Sequence, residues 1–246
     1  MFRSGLLAIA ISVAAAFSAT VASAQTVSVS GTIAGVSDYR YRGISQTDRN
    51  PALQAGLTLN TEAGLYAGVW ASNVDFNDNP RDTWGEIDLT LGFSNALSDA
   101  LSYDVGFTYY AYPNSDSAGL PDYNYWETYF GIAYEAGQFG ASGKIFYSPD
   151  FFGETGDAVY VTAGASYTPA TVGWLTFDAT LGHQWIENNA GFGTPDYFDW
   201  SIGATATWEM LAFGLRYIDT DIEKSRCGAS LDWCDATAVA SITASF

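Results

Sequence analysis

Few side chains in this sequence could work together as acid, base, nucleophile or metal ligand. The single histidine is His183, the two cysteines are Cys227 and Cys234, and the other candidates are carboxylates and a small number of Arg and Lys residues. A Ser-His arrangement needs an imidazole aimed into a polar site. His183 instead alternates in phase with Leu181 and Trp185 and shares their apolar face. Glu86 and Asp88 stand two apart on one face and could form an acid–base pair, although two carboxylates that simply line water are the plainer reading. Asp75, Asn77 and Asn79, with Glu86 at the twelfth position, imitate a calcium loop, but Pro80 occupies the place where the sharp turn needs Gly. Two thiols far in sequence from the only imidazole do not make a zinc site. Neither a metal nor a cofactor is expected.

The remaining charges form a set when sorted by the parity of the segments that carry them. Arg40, Arg42, Glu86, Asp88, Asp104, Glu127, Lys144, Asp178, Asp199 and Arg216 all fall on the face opposite the apolar one. Six are acidic and four basic. Fixed charges lining a narrow conduit discriminate solutes by sign, so this set points to passage of small polar solutes or ions with a mild cation preference. Two alternatives stand beside that reading: a non-conducting structural barrel whose charges pair across neighbouring strands, and an outer-membrane hydrolase.

The elements that position these residues have period two. From Val27 to Ser45, Val27, Val29, Ile33, Tyr39 and Tyr41 oppose Ser28, Ser30, Thr32, Asp38, Arg40 and Arg42. That stretch reads as one strand with tyrosines in an interfacial girdle and two arginines in the lumen at the extracellular mouth, where they would form a constriction. The alternation recurs down the chain, for example at Ile87, Leu89, Leu91 and Phe93 against Glu86, Asp88, Thr90 and Gly92. Twelve such segments follow in phase, and long polar connections alternate with tight turns. Apolar faces end in Tyr, Trp or Phe, as membrane interfaces require. An open sheet would leave unpaired backbone groups in hydrocarbon, so the first and last strands must pair. The fold class expected is all-β, a transmembrane antiparallel up-and-down β-barrel of about 12 strands.

Residues 1–24 read as a signal peptide: Arg3, an apolar run from Leu6, and Ala22-Ser23-Ala24 as the cleavage site. One barrel domain, 25–246, follows, and no later segment offers the ~18 uninterrupted apolar residues of a membrane helix. The expected location is the bacterial outer membrane, with its lipids and small polar solutes or ions as partners. The chain carries 27 acidic against 9 basic side chains, which argues against nucleic acid. Removal of Arg3 with the signal makes the mature chain one unit more negative than the −18 of the full sequence. Export to an oxidising compartment makes a disulfide between Cys227 and Cys234 the expectation.

The run from Val36 to Gln46, Val-Ser-Asp-Tyr-Arg-Tyr-Arg-Gly-Ile-Ser-Gln, and the run from Gly64 to Val74 closely resemble the TorF family of porins. So do Tyr110-Ala111-Tyr112-Pro113 and the run from Tyr147 to Gly153, so the resemblance extends over nearly the whole mature chain. It implies a proteobacterial outer-membrane barrel acting as a porin, with no substrate assigned. Arg40, Arg42 and Gly43 match the family motif without a transport role to carry over.

Overall fold

The computed structural model describes residues 27–78, 81–115, 119–228 and 231–246. The expected signal peptide, and Asn79 and Pro80 of the calcium-like spacing, lie outside the described residues. Twelve strands close into an antiparallel barrel: β1 (Val27–Val36), β4 (Ala52–Thr61), β5 (Leu65–Asn73), β6 (Gly85–Ala96), β7 (Leu101–Ala111), β8 (Tyr125–Ala136), β9 (Phe139–Ser148), β10 (Ala158–Tyr167), β11 (Leu175–Ile186), β12 (Tyr197–Trp208), β13 (Leu211–Thr220) and β14 (Thr237–Ser245). A small hairpin, β2 (Arg40–Tyr41) with β3 (Ile44–Ser45), stands apart from the barrel wall. Each barrel strand pairs with its neighbours in sequence, and β1 closes the ring on β14 with Thr32 opposite Ser245 and Gly35 opposite Ile242. The Gly31 amide donates to the Phe246 carbonyl at 2.7 Å, completing the seam. The barrel sheet has no open edge, which is the condition for a sheet surrounded by hydrocarbon.

The outer surface is apolar in the middle and aromatic at both ends. Leu57, Val69, Leu89, Leu91, Val105, Phe130, Ile145, Leu181 and Ile202 are all exposed around the wall. Tyr109, Trp126, Tyr147, Trp185 and Tyr217 ring the long-loop end, and Tyr134, Phe139, Tyr167, Trp174 and Trp208 ring the turn end. His183 lies in the outer ring, packed between Trp185 and Phe198 at centroid distances of 4.0 and 4.1 Å. Long connections after β1, β5, β7, β9, β11 and β13 all emerge at one end, and short turns join the strands at the other.

The first connection departs from the sequence expectation. The strand begun at Val27 ends at Val36, not Ser45, and residues 37–51 fold inward. Tyr39 and Tyr41 therefore do not belong to an interfacial girdle. Tyr39 packs on the inward-facing Trp70, and the Tyr41 hydroxyl donates to Glu127 on the inner wall at 3.2 Å. Local chemistry favours this turn. Arg40 pairs with Ser45 and Tyr41 with Ile44, leaving Arg42 and Gly43 as a two-residue hairpin loop, both at positive φ (47° and 84°). That is the geometry of a type I′ turn, in which Gly is favoured. A Cβ on Gly43 would stand 2.9 Å from the Asp199 Cβ, so the hairpin tip can approach the wall there only as glycine. Asp38 ties the base: it accepts from Arg40 Nε and from Ser45 Oγ, both at 2.6 Å.

Candidate functional site: the barrel lumen

Arg42 spans the lumen. It leaves the segment that follows β1 and reaches β8, β9, β10 and β11, which form the far side of the ring. Its Nη2 donates to Glu127 Oε2 at 2.5 Å and its Nη1 to Gln184 Oε1 at 2.6 Å. The guanidinium also lies 4.3 Å from the Tyr160 ring centroid and 5.1 Å from that of Phe146. Tyr41 and Tyr110 hydroxyls both donate to Glu127 Oε2 at 3.2 Å. Both charges are nearly inaccessible, with side-chain exposures of 5% and 1%. A buried pair of this kind is held by further hydrogen bonds to each group; here the tyrosines supply them at Glu127 Oε2 and Gln184 at the guanidinium, while Glu127 Oε1 is buried without a partner among the described residues.

Two further ion pairs line the inner wall nearer the turn end. Lys144 Nζ lies 2.8 Å from Asp104 Oδ2, and Arg216 Nη2 lies 2.5 Å from Asp178 Oδ2. Neither joins adjacent strands: β9 reaches β7 across β8, and β13 reaches β11 across β12. In each case the intervening strand presents a glycine, Gly131 or Gly203. A Cβ at Gly131 would sit 2.8 Å from Lys144 Cε, and one at Gly203 would sit 3.1 Å from Arg216 Cζ. The same device recurs where the Tyr160 hydroxyl passes over Gly182 to donate to Asp199 Oδ1 at 3.1 Å.

Each of the four lumen cations is held by a carboxylate: Arg40 by Asp38, Arg42 by Glu127, Lys144 by Asp104 and Arg216 by Asp178. Among the described residues, Glu86, Asp88 and Asp199 form no ion pair. Glu86 accepts from the Tyr112 hydroxyl at 2.8 Å, while Asp88 Oδ1 and Asp199 Oδ2 are buried without a partner. Burial, reinforced by the neighbouring Glu86, pushes the Tyr112 phenol up, so it remains a donor.

The disulfide between Cys227 and Cys234 closes a loop whose carbonyls hold the inserted segment. Arg40 Nη1 donates to Trp233 O at 2.6 Å and to Asp235 O at 3.1 Å, and Arg49 Nη1 donates to Asp232 O at 3.1 Å. Trp233 Nε1 donates in return to Asp48 Oδ1 at 2.7 Å. The connection after β5 helps as well, since the Asp75 amide donates to Gln46 O at 2.8 Å. In the calcium-like spacing, Asp75 Oδ1 accepts from the Asn77 amide and Glu86 turns into the barrel, so these residues do not converge.

All ten residues singled out by parity lie inside the barrel, but Arg40 and Arg42 get there on the inserted hairpin and not on a strand. Asp38, Gln184 and the tyrosines at 110, 112 and 160 complete the arrangement. Alternation with His183 places Gln184 inward; the inserted arginine gives it its charged partner.

A family model described as a bacterial protein of unknown function, Gcw_chp, matches residues 18–246. No curated protein matches the sequence. Among solved structures, the KdgM porin superposes with a TM-score of 0.57 at 9% identity, covering 88% of this chain and 99% of that one. The NanC porin gives 0.55 at 12% identity, covering 88% and 98%. The KdgM porin in complex with disordered oligogalacturonate gives 0.58 at 7% identity, covering 90% and 99%. At these identities the likeness is one of fold. A closed antiparallel barrel with an apolar band between aromatic rings is the strand architecture that crosses the bacterial outer membrane, and this chain, a bacterial outer-membrane barrel, belongs to the Gcw_chp family.

Proposed function

We propose that the barrel is a porin-like channel, of the TorF kind its motifs resemble, for passive diffusion of small polar solutes or ions. On this reading the long loops face outward and the turns face the periplasm. The inserted segment, and not the strand wall, sets the bore. The observation that carries a cation preference is the imbalance among the charges on the strand wall and the inserted hairpin: Arg40, Arg42, Lys144 and Arg216 are each paired with a carboxylate, and Glu86, Asp88 and Asp199 are left over. Carboxylates that no side-chain cation neutralises favour positive permeants when they are ionised.

The fold shared with the KdgM and NanC porins supports the channel reading. The inner spaces favour small permeants: about 280 Å³ beside the inserted segment, between Asp38, Arg40, Trp70 and Arg216, and about 250 Å³ along the strand wall beside Thr32, Thr58, Tyr66 and Thr90. The outward placement of His183 supports a channel over a hydrolase. One observation favours a second reading, a barrel that is closed at rest: Arg42 joins opposite walls.

Planar-bilayer recording across a KCl gradient tests the proposal. The expected reversal potential has the sign of potassium preference. Anion preference at neutral pH would overturn the selectivity. Absence of conductance in both the wild type and an Arg42 variant would overturn the channel.

A further inference from the structure

Beside β1, β4 and β5 the lumen holds a space of about 250 Å³ whose lining includes no charged side chain among the described residues. Ser30, Thr32, Thr58, Tyr66 and Thr90 border it with hydroxyls, and the inward-facing Trp70 adds an indole. Two glycines keep those hydroxyls uncovered. A Cβ at Gly56 would stand 3.2 Å from Thr32 Oγ1 and 3.3 Å from Trp70 Cδ1, and one at Gly68 would stand 3.4 Å from Thr58 Oγ1. Trp70 also borders the space that reaches the base of the hairpin at Asp38 and Tyr39, so the two spaces adjoin along the wall.

An aromatic side chain among neutral hydroxyls is the complement of a pyranose, which carries a flat face of C–H bonds and a rim of groups that both donate and accept. An apolar guest would leave the wall hydroxyls unpaired. Asp88 stands opposite Trp70 in the β5–β6 register and is held by no cation among the described residues, which disfavours a negative charge on the guest. The volume suits one ring rather than a chain. We infer that this pocket is a subsite for a neutral monosaccharide, with Trp70 as its stacking platform. As a statement about permeants this rests on the porin reading, while binding itself is measured without conduction.

Saturation-transfer NMR on the full chain in deuterated detergent micelles tests it, with methyl β-glucopyranoside as the probe and sorbitol and glucuronate as comparisons. The glucoside is expected to bind and to receive saturation chiefly at its ring C–H protons. Sorbitol, which has the hydroxyls without the ring, and glucuronate, which adds a negative charge, are expected to bind about threefold weaker or worse. Trp70→Ala should weaken the glucoside by about tenfold or more, with Trp70→Phe between. Should Trp70→Ala fail to fold, Thr58→Val, which keeps the shape and loses a hydroxyl, should still weaken it by about threefold. Unchanged glucoside binding in whichever of these variants folds, glucuronate or sorbitol binding as tightly as the glucoside, or no transfer at about 10 mM glucoside would overturn the inference. A barrel that conducts without binding the glucoside would fail this inference alone, and one that binds it without conducting would fail only the porin reading.

Discussion

At the residue scale, Arg42 and Glu127 form the contact on which most of the lumen depends. Removing the arginine leaves a carboxylate with 1% side-chain exposure and no cation. Breaking such a pair from one side is costly, so Arg42→Ala should lower unfolding stability by about 3 kcal/mol or more. Arg42→Ala combined with Glu127→Gln should recover a substantial part, since the neutral amide still accepts from Tyr41 and Tyr110. Urea titrations followed by tryptophan fluorescence would measure both; equal losses in the single and double variants would contradict the account. Lys144 and Asp104 differ in kind. Both side chains are about a third exposed, and an exposed pair contributes about 1 kcal/mol at most. Lys144→Gln should therefore scarcely move stability in the same titration, and a loss as large as that of Arg42→Ala would show that exposure is a poor guide here.

At the scale of elements, the inserted segment 37–51 and the cysteine loop behave as one unit. Arg40, Arg49 and Trp233 join them, and the disulfide fixes the carbonyls that receive the two arginines. Replacing both cysteines by serine should cost about 2 kcal/mol through the freed loop. It should also speed amide hydrogen exchange in residues 37–51 while leaving the strands unchanged. Unaltered exchange in that segment would show that the loop does not brace it. This unit is also where sequence reading met its limit. The strand wall was legible because one apolar and one polar face force strict alternation, as at Ile87 to Phe93. Tyr39, Arg40, Tyr41 and Arg42 continue the same alternation, so period alone extends β1 to Ser45. What folds the chain back inside the barrel is the hairpin turn of positive-φ residues at 42 and 43 and the Asp38 anchor at its base, which alternation does not register. Length carried the available signal. Val27 to Ser45 is nearly twice the roughly 9–11 residues that a crossing strand needs, and Gly43 follows the arginines directly.

At the scale of the molecule, the barrel is a closed wall crossed inside by the inserted hairpin, whose Arg42 reaches Glu127 and Gln184 on the far side. The charged residues inside were legible by parity, as with Asp178 and Arg216. Their partners were not, because Gly131 and Gly203 let side chains meet two strands apart, a contact that depends on neighbours distant in sequence. On the porin reading, the inserted hairpin, held across the lumen by Arg42, sets the passage. Single-channel conductance of Arg42→Ala and the wild type, recorded side by side in symmetric KCl, tests it most directly. A rise of roughly twofold or more is expected in the variant, as the obstruction across the bore is released. An unchanged conductance in a variant whose folding is verified would contradict it.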